Sequence, residues 1–160
     1  MKKTLVFGYG NPDRQDDGVA WHILAALAKR LGQQFPVSID EDFLLASGTP
    51  DLAYVLQLTP ELAEIIAGYH RVCFIDAHTG DIPDEIRVTE VKGEYQASPF
   101  THHLTPASCL AIAQTLYSAK TEAILVSVQG YEFGFSHLLS ERTQSLVAQA
   151  VERIWEWLGV

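Results

Sequence analysis

The sequence predicts an α/β fold in which a mostly parallel sheet carries helices on both faces and one strand runs reversed. Short apolar runs at Thr4 to Phe7, Arg71 to Asp76 and Ala123 to Val128 are of the kind found in strands buried on both faces. Segments with apolar residues at helical spacing lie between them, the pattern expected when helices cover a parallel sheet. Ile86-Arg-Val-Thr-Glu-Val91 instead alternates with period two and follows the Asp76 strand after nine residues. A parallel crossover needs about a dozen residues or more, so this strand is expected to run antiparallel to the Asp76 strand or to lie at an edge.

Thr4 to Phe7 is the first strand. Val19 to Leu31 is the first helix, because Val19, Ile23, Leu27 and Leu31 recur on one face. Val37 to Ile39 reads as a second, weaker strand, and Glu41 to Gly48 as a connection with Phe43, Leu44 and Leu45 packed beneath it. The pairs Thr49-Pro50, Thr59-Pro60 and Thr105-Pro106 each set a capping hydroxyl before a proline suited to the first helical position. Helices are therefore expected to begin near 50, 60 and 106. Ser140 caps a closing helix that carries Leu146, Val147, Ala150, Ile154, Trp157 and Leu158. No internal repeat, low-complexity tract or linker divides residues 1–160, which are expected to form a single domain.

At 160 residues and 48% apolar composition the chain can bury a substantial core. A net charge of −9 argues against binding nucleic acid, which needs clustered positive charge. No polybasic patch points to a membrane surface, and no apolar run is long enough to span a bilayer. The opening Met-Lys-Lys-Thr-Leu-Val-Phe begins like a signal peptide, but its apolar run stops at Gly8. Cys73 and Cys109 fall inside an expected strand and helix and form no C-x-x-C pair, which suits buried thiols in a reduced cytoplasmic protein.

The chemistry-bearing residues lie where such sheets place ligands, outside the carboxyl ends of the strands. Gly8-Tyr-Gly-Asn-Pro-Asp-Arg-Gln-Asp-Asp-Gly18 follows the first strand. Gly8 and Gly10 permit a tight turn and Asn11 can bond its own loop. Asp16 and Asp17 sit at a helix N-terminus, where negative charge is favoured. One of these acids serves as an N-cap at most, and Asp16 reads equally well in that role. Asp76 ends a second apolar strand, and His102 and His103 precede a helix. Two carboxylates and a neutral imidazole make a plausible ligand set for nickel, zinc or another divalent transition ion, with coordination positions left open. His22, His70 and His137 are weaker candidates, and His78 is the one near enough to Asp76 in sequence to compete.

Other chemistries fit less well. Gly8-Tyr-Gly10 lacks the third glycine of a dinucleotide fingerprint, having Asp13 there, and acids crowd the place of a pyrophosphate. No G-x-S-x-G elbow and no H-E-x-x-H helix occur, and neither cysteine is placed where a thiolate would be stabilised.

With these residues in view, the chain resembles the [NiFe]-hydrogenase maturation proteases, which trim the C-terminus of the hydrogenase large subunit after nickel insertion. The resemblance rests on Gly8-x-Gly-Asn-x-x-x-x-Asp-Asp-Gly18, on Asp76-Ala77 after an apolar strand and on His102-His-Leu-Thr-Pro106 before a helix. Gln57-Leu-Thr-Pro-Glu-Leu-Ala63 and Val128-Gln-Gly130 extend it to almost the whole length. It implies a three-layer α/β/α sandwich with a mixed, mostly parallel five-stranded sheet and one antiparallel strand. It also implies that Asp17, Asp76 and His102 are the metal-binding and catalytic residues, with His103 the alternative histidine. Gly8, Gly10, Asn11, Asp16 and Gly18 would support them.

The expected partner is a hydrogenase large-subunit precursor and the expected metal is the nickel that precursor carries; other divalent transition ions are expected to occupy the same ligands in vitro. Cleavage would be assisted by that metal as Lewis acid or water activator. A non-catalytic nickel-checking chaperone, using the same residues without cutting, is the competing reading. An autonomous metallopeptidase or amidohydrolase with its own ion is a third. A monomer is expected. Phe133, Phe135 and His137, in the loop after the last strand, could face the client or the core.

Overall fold

The computed structural model describes residues 3–36, 43–45, 48–95 and 104–160. Strand β1 (Thr4–Tyr9) passes through a 3-10 turn (Gln15–Gly18) into helix α1 (Val19–Leu31), and Gly32, at φ +71, ends that helix in a left-handed cap. Strands β2 (Phe43–Leu45) and β3 (Asp51–Val55) come next, followed by helix α2 (Leu62–Ala67) and strand β4 (Arg71–His78). Strand β5 (Ile86–Val91), helix α3 (Pro106–Tyr117), strand β6 (Glu122–Gln129) and helix α4 (Glu141–Leu158) complete the chain.

The strand order is β2-β3-β1-β4-β6-β5. Strands β3, β1, β4 and β6 are mutually parallel and β5 is antiparallel to β6, so the expected five-stranded sheet with one reversed strand is present. Short β2 adds an antiparallel edge beyond β3. Successive side chains of the central strands are buried on opposite faces and build two cores. Val6, Cys73, Ile75, Val126 and Val128 pack with Val19, Ile23 and Leu27 of α1 and Leu146, Ala150 and Ile154 of α4. Leu5, Phe7, Val72, Phe74 and Ala123 pack with Ala63 and Ile66 of α2 and Cys109, Leu110 and Ala113 of α3. The result is a helix, sheet, helix sandwich.

Helix α1 has the predicted bounds. Thr105 caps α3 by accepting the Ser108 N–H at 3.1 Å with Pro106 in the first turn, and Ser140 caps α4 by accepting the Thr143 N–H at 3.3 Å. Thr59-Pro60 opens a turn, closed by the Leu62 N–H on the Thr59 carbonyl at 3.1 Å, and α2 starts only at Leu62.

The Thr49-Pro50 pair does not start a helix, because Asp51–Val55 is β3. Leu52 and Tyr54 enter one core while Ala53 and Val55 pack into the other, and only an extended chain splits consecutive residues between two layers in this way. A residue before proline is driven toward extended backbone, so this Thr-Pro pair serves strand entry. Phe43–Leu45, expected as part of a connection, is strand β2. The expected strand Val37 to Ile39 lies outside the described residues. Strand β5 is antiparallel and at an edge, but its neighbour is β6, which inserts beside β4.

Candidate active site

Strand β1 leaves the sheet through Gly8-Tyr9-Gly10, with Gly8 packed against Leu24 and Ala20 of α1. Gly10 has φ +145, and a Cβ there would stand 2.1 Å from the Asp17 carbonyl oxygen; the strand end can pass this close to the 3-10 turn only as glycine. A Cβ on Gly18 would likewise stand 2.7 Å from Pro12 Cα. Asn11 closes the loop from both sides. Its N–H donates to Asp17 Oδ2 at 2.8 Å, and its Oδ1 accepts from the Asp13 N–H at 3.0 Å.

Asp76 stands near the carboxyl end of β4 and is held by two hydroxyls. Tyr9 Oη donates to its Oδ2 at 2.8 Å, and Ser127 Oγ, from the register partner on β6, donates to its Oδ1 at 2.6 Å. Burial pushes the Asp76 carboxyl above its ordinary value; the hydrogen bonds from Ser127 and Tyr9 oppose that shift and the Asp17 charge adds to it. Burial, then the Asp76 charge and hydrogen bond, drive the Tyr9 phenol far up, with Asp17 again contributing.

Two clefts meet at Tyr9 and Leu104. One, of about 480 Å³, is lined by Asp17, Asn11, Arg14, Leu56 and Phe133, and the other, of about 690 Å³, by Asp76, Thr89, Val91, Thr105 and Leu125. Each carboxylate therefore faces an opening large enough for peptide side chains. His102 and His103, the expected imidazole ligands, lie outside the described residues. Among the described residues no three His, Cys, Asp or Glu side chains are grouped to hold a metal ion. The two carboxylates supply oxygen donors of the expected type, and each keeps lone-pair capacity beyond the hydrogen bonds it accepts.

Asp16 is not a ligand and does not cap α1. It is 0% exposed. Its Oδ2 accepts from the Tyr131 N–H at 2.8 Å, the Glu132 N–H at 2.9 Å, Ser140 Oγ at 2.6 Å and Thr143 Oγ1 at 2.9 Å, while Oδ1 accepts from the Ser140 N–H at 2.8 Å. Burial raises its carboxyl, but the hydrogen bonds from Ser140, Glu132 and Tyr131 outweigh that and leave it below the ordinary value. Asp16 ties the turn after β1 to the start of α4.

The remaining histidines divide between packing and the loop. His78 Nδ1 accepts the Gly80 N–H at 3.1 Å, which engages the lone pair of the neutral ring, and its buried Nε2 has no hydrogen-bond partner among the described residues. His22 Nε2 meets the His137 carbonyl and His70 Nδ1 accepts the Lys3 N–H, each at 3.1 Å. The sequence reading missed Tyr9 and Ser127. The signal for Ser127 was available, as a lone hydroxyl in the apolar run Ala123 to Val128; Tyr9 carried none beyond its place between two glycines.

With this geometry in place, comparison with known proteins defines a class. The chain has the fold of the hydrogenase maturation proteases. The hydrogenase maturating endopeptidase HybD from E. coli matches 98% of this chain and 91% of its own with a TM-score of 0.69 and 17% identity. The [NiFe] hydrogenase maturation protease HybD from Thermococcus kodakarensis matches 98% of this chain and 99% of its own, with a TM-score of 0.68 and 19% identity. HycI from Thermococcus kodakarensis, also a [NiFe] hydrogenase maturation protease, matches 99% of this chain and 94% of its own, with a TM-score of 0.67 and 16% identity. No protein-family model and no curated protein sequence matches the chain. At these identities the likeness is one of fold.

Proposed function

We propose that this protein is an endopeptidase that removes the C-terminal peptide of a [NiFe]-hydrogenase large-subunit precursor after nickel insertion. The observation that carries the reading is that the cleft holding Asp17 and the cleft holding Asp76 meet at Tyr9, which bonds Asp76, near the carboxyl ends of β1 and β4. These strands are 67 residues apart in sequence at the bonded pair, and the sheet brings their acids to one pair of clefts. The named function of the solved structures that share the fold supports the same reading. Leu104, which follows the His102-His103 pair in sequence, lines both clefts, which supports a histidine of that pair as the third ligand.

The nickel is substrate. Asp17, Asp76 and His102 complete its coordination, so that a precursor without nickel is not held productively. Bound there, the metal supplies Lewis acidity to the scissile carbonyl or to a water. Asp76 is the more buried of the two acids, and burial holds its carboxyl above the ordinary value in the metal-free protein. Ser127 and Tyr9 hold that carboxylate in one orientation. The protein acts in the cytoplasm as a monomer. Among the described residues no helix is long and apolar enough to cross a membrane.

Intact-mass analysis of a large-subunit precursor, with and without nickel, tests this. Loss of one defined C-terminal peptide is expected with nickel only, and is expected to vanish with Asp17→Asn or Asp76→Asn. Equal cleavage of the nickel-free form would overturn nickel recognition. Binding without any mass change would establish the nickel-checking chaperone instead.

A further inference from the structure

The loop joining β6 to α4, residues 130–140, is tied along most of its length to the 10–18 turn and yet holds apolar side chains in solvent. Arg14 Nε and Nη2 donate to the Phe133 carbonyl at 3.2 and 2.8 Å. The Gly134 N–H donates to Gln15 Oε1 at 3.2 Å, the Gln15 N–H to the Ser136 carbonyl at 3.0 Å, and the Ser136 N–H to the Asp13 carbonyl at 3.2 Å. Asp16 takes the N–H groups on either side, from Tyr131, Glu132 and Ser140. Against this rigid backing Phe135 is 88% exposed and Leu138 is 75% exposed.

Large apolar side chains held in solvent on a pinned loop beside a cleft are the arrangement of a preorganised contact. Phe135 adjoins the Asp17 cleft. Phe133 and Arg14 line that cleft, and the Arg14 guanidinium lies 4.9 Å from the centre of the Phe135 ring. Leu56, 53% exposed, stands on the same cleft. Glu132 is exposed beside the patch, while the Asp13 carboxylate bonds His137 Nε2 and Arg14 lies over Phe135, in a chain of net charge −9.

We propose that Phe135 and Leu138 anchor the folded body of the precursor whose C-terminal segment enters the Asp17 cleft, an inference that rests on the proposed protease function. A chain end in the cleft brings its own globular body against this rim. The matching face is an apolar socket bordered by lysine or arginine, complementary to Glu132 and to the chain's net charge of −9. Recognition of the folded body is thereby separated from recognition of the metal.

The test uses the full-length protein and a nickel-loaded large-subunit precursor, with Phe135→Ser and Leu138→Ser made singly and together. Both side chains are outside the core, so the thermal midpoint should change little, the contact of Phe135 with Arg14 being the one lost. The double variant should bind the precursor about tenfold or more weakly by biolayer interferometry, and its KM should rise by the same factor with kcat within about twofold. Wild-type association should weaken with added salt, and the variant should keep that salt slope. Unchanged affinity and KM in the double variant, with the wild type still cutting, would overturn the docking surface and leave the protease reading intact. Binding that depends on Phe135 without cleavage would retain the surface and overturn the protease reading. Absence of both binding and cleavage in the wild type would overturn both.

Discussion

Tyr9 Oη donates to Asp76 Oδ2 at 2.8 Å, joining the last residue of β1 to the acid near the end of β4. That bond and the one from Ser127 hold Asp76 while burial drives its carboxyl up.

Tyr9→Phe should therefore raise the Asp76 pKa further, since it removes a hydrogen bond to the charged form. Carboxyl-carbon NMR titration reads the shift, and Ser127→Ala should move it the same way. Cleavage by either variant should fall roughly 10- to 100-fold, the usual effect of removing a partner that orients a ligand. A fall in the observed Asp76 pKa would show that these hydroxyls do not stabilise the carboxylate.

Asp16→Asn should destabilise the fold by about 2–4 kcal/mol at neutral pH, because an amide presents N–H groups to donors that need an acceptor. The folded protein holds Asp16 below its ordinary value. Its stabilisation is thus fully present above the unfolded carboxylate value of about 3.9 and is lost as pH falls through the folded-state value. Urea unfolding of wild type and variant at pH 7, 5 and 3 should show a gap that is constant between the first two and narrows at the last.

Gly10→Ala should cost roughly 2 kcal/mol or more, since φ is +145 and the added Cβ would meet the Asp17 carbonyl at 2.1 Å. Relief of that clash displaces Asp17, so binding of nickel-loaded precursor should weaken together with the melting temperature. A variant with wild-type melting and binding would mean that the β1 end and the 3-10 turn do not need this approach.

Both cysteines should be inert in the native protein. Burial pushes Cys109 up to about 12 and Cys73 higher still, so neither offers a thiolate at neutral pH. Iodoacetamide at pH 8 should leave the native mass unchanged and add two labels after denaturation.

Much of the local structure was legible because its causes are local. The four-residue spacing of Val19, Ile23, Leu27 and Leu31 gave the bounds of α1, and Thr105-Pro106 and Ser140 marked their helices through hydrogen bonds spanning one turn. The same kind of signal misled at Thr49-Pro50, where pairing with β1 outweighs a helix-starting dipeptide. Asp17 and Asp76 were recognisable as acids placed near strand ends, although β4 runs on to His78 and holds Asp76 within it.

Sequence alone determined which segments carry apolar faces, where most helices begin and which acids stand near the carboxyl ends of strands, since each follows from residues within a few positions of one another. Only the tertiary structure decided that β6 lies between β4 and β5, that Ser127 and Tyr9 hold Asp76, and that Asp16 binds the start of α4 from more than a hundred residues away. Adjacent Asp16 and Asp17 look alike in sequence, but one side chain turns into a ring of buried donors and the other toward a cleft. Hydrogen-bond partners are set by the packing of distant strands and helices, and no local pattern encodes that choice.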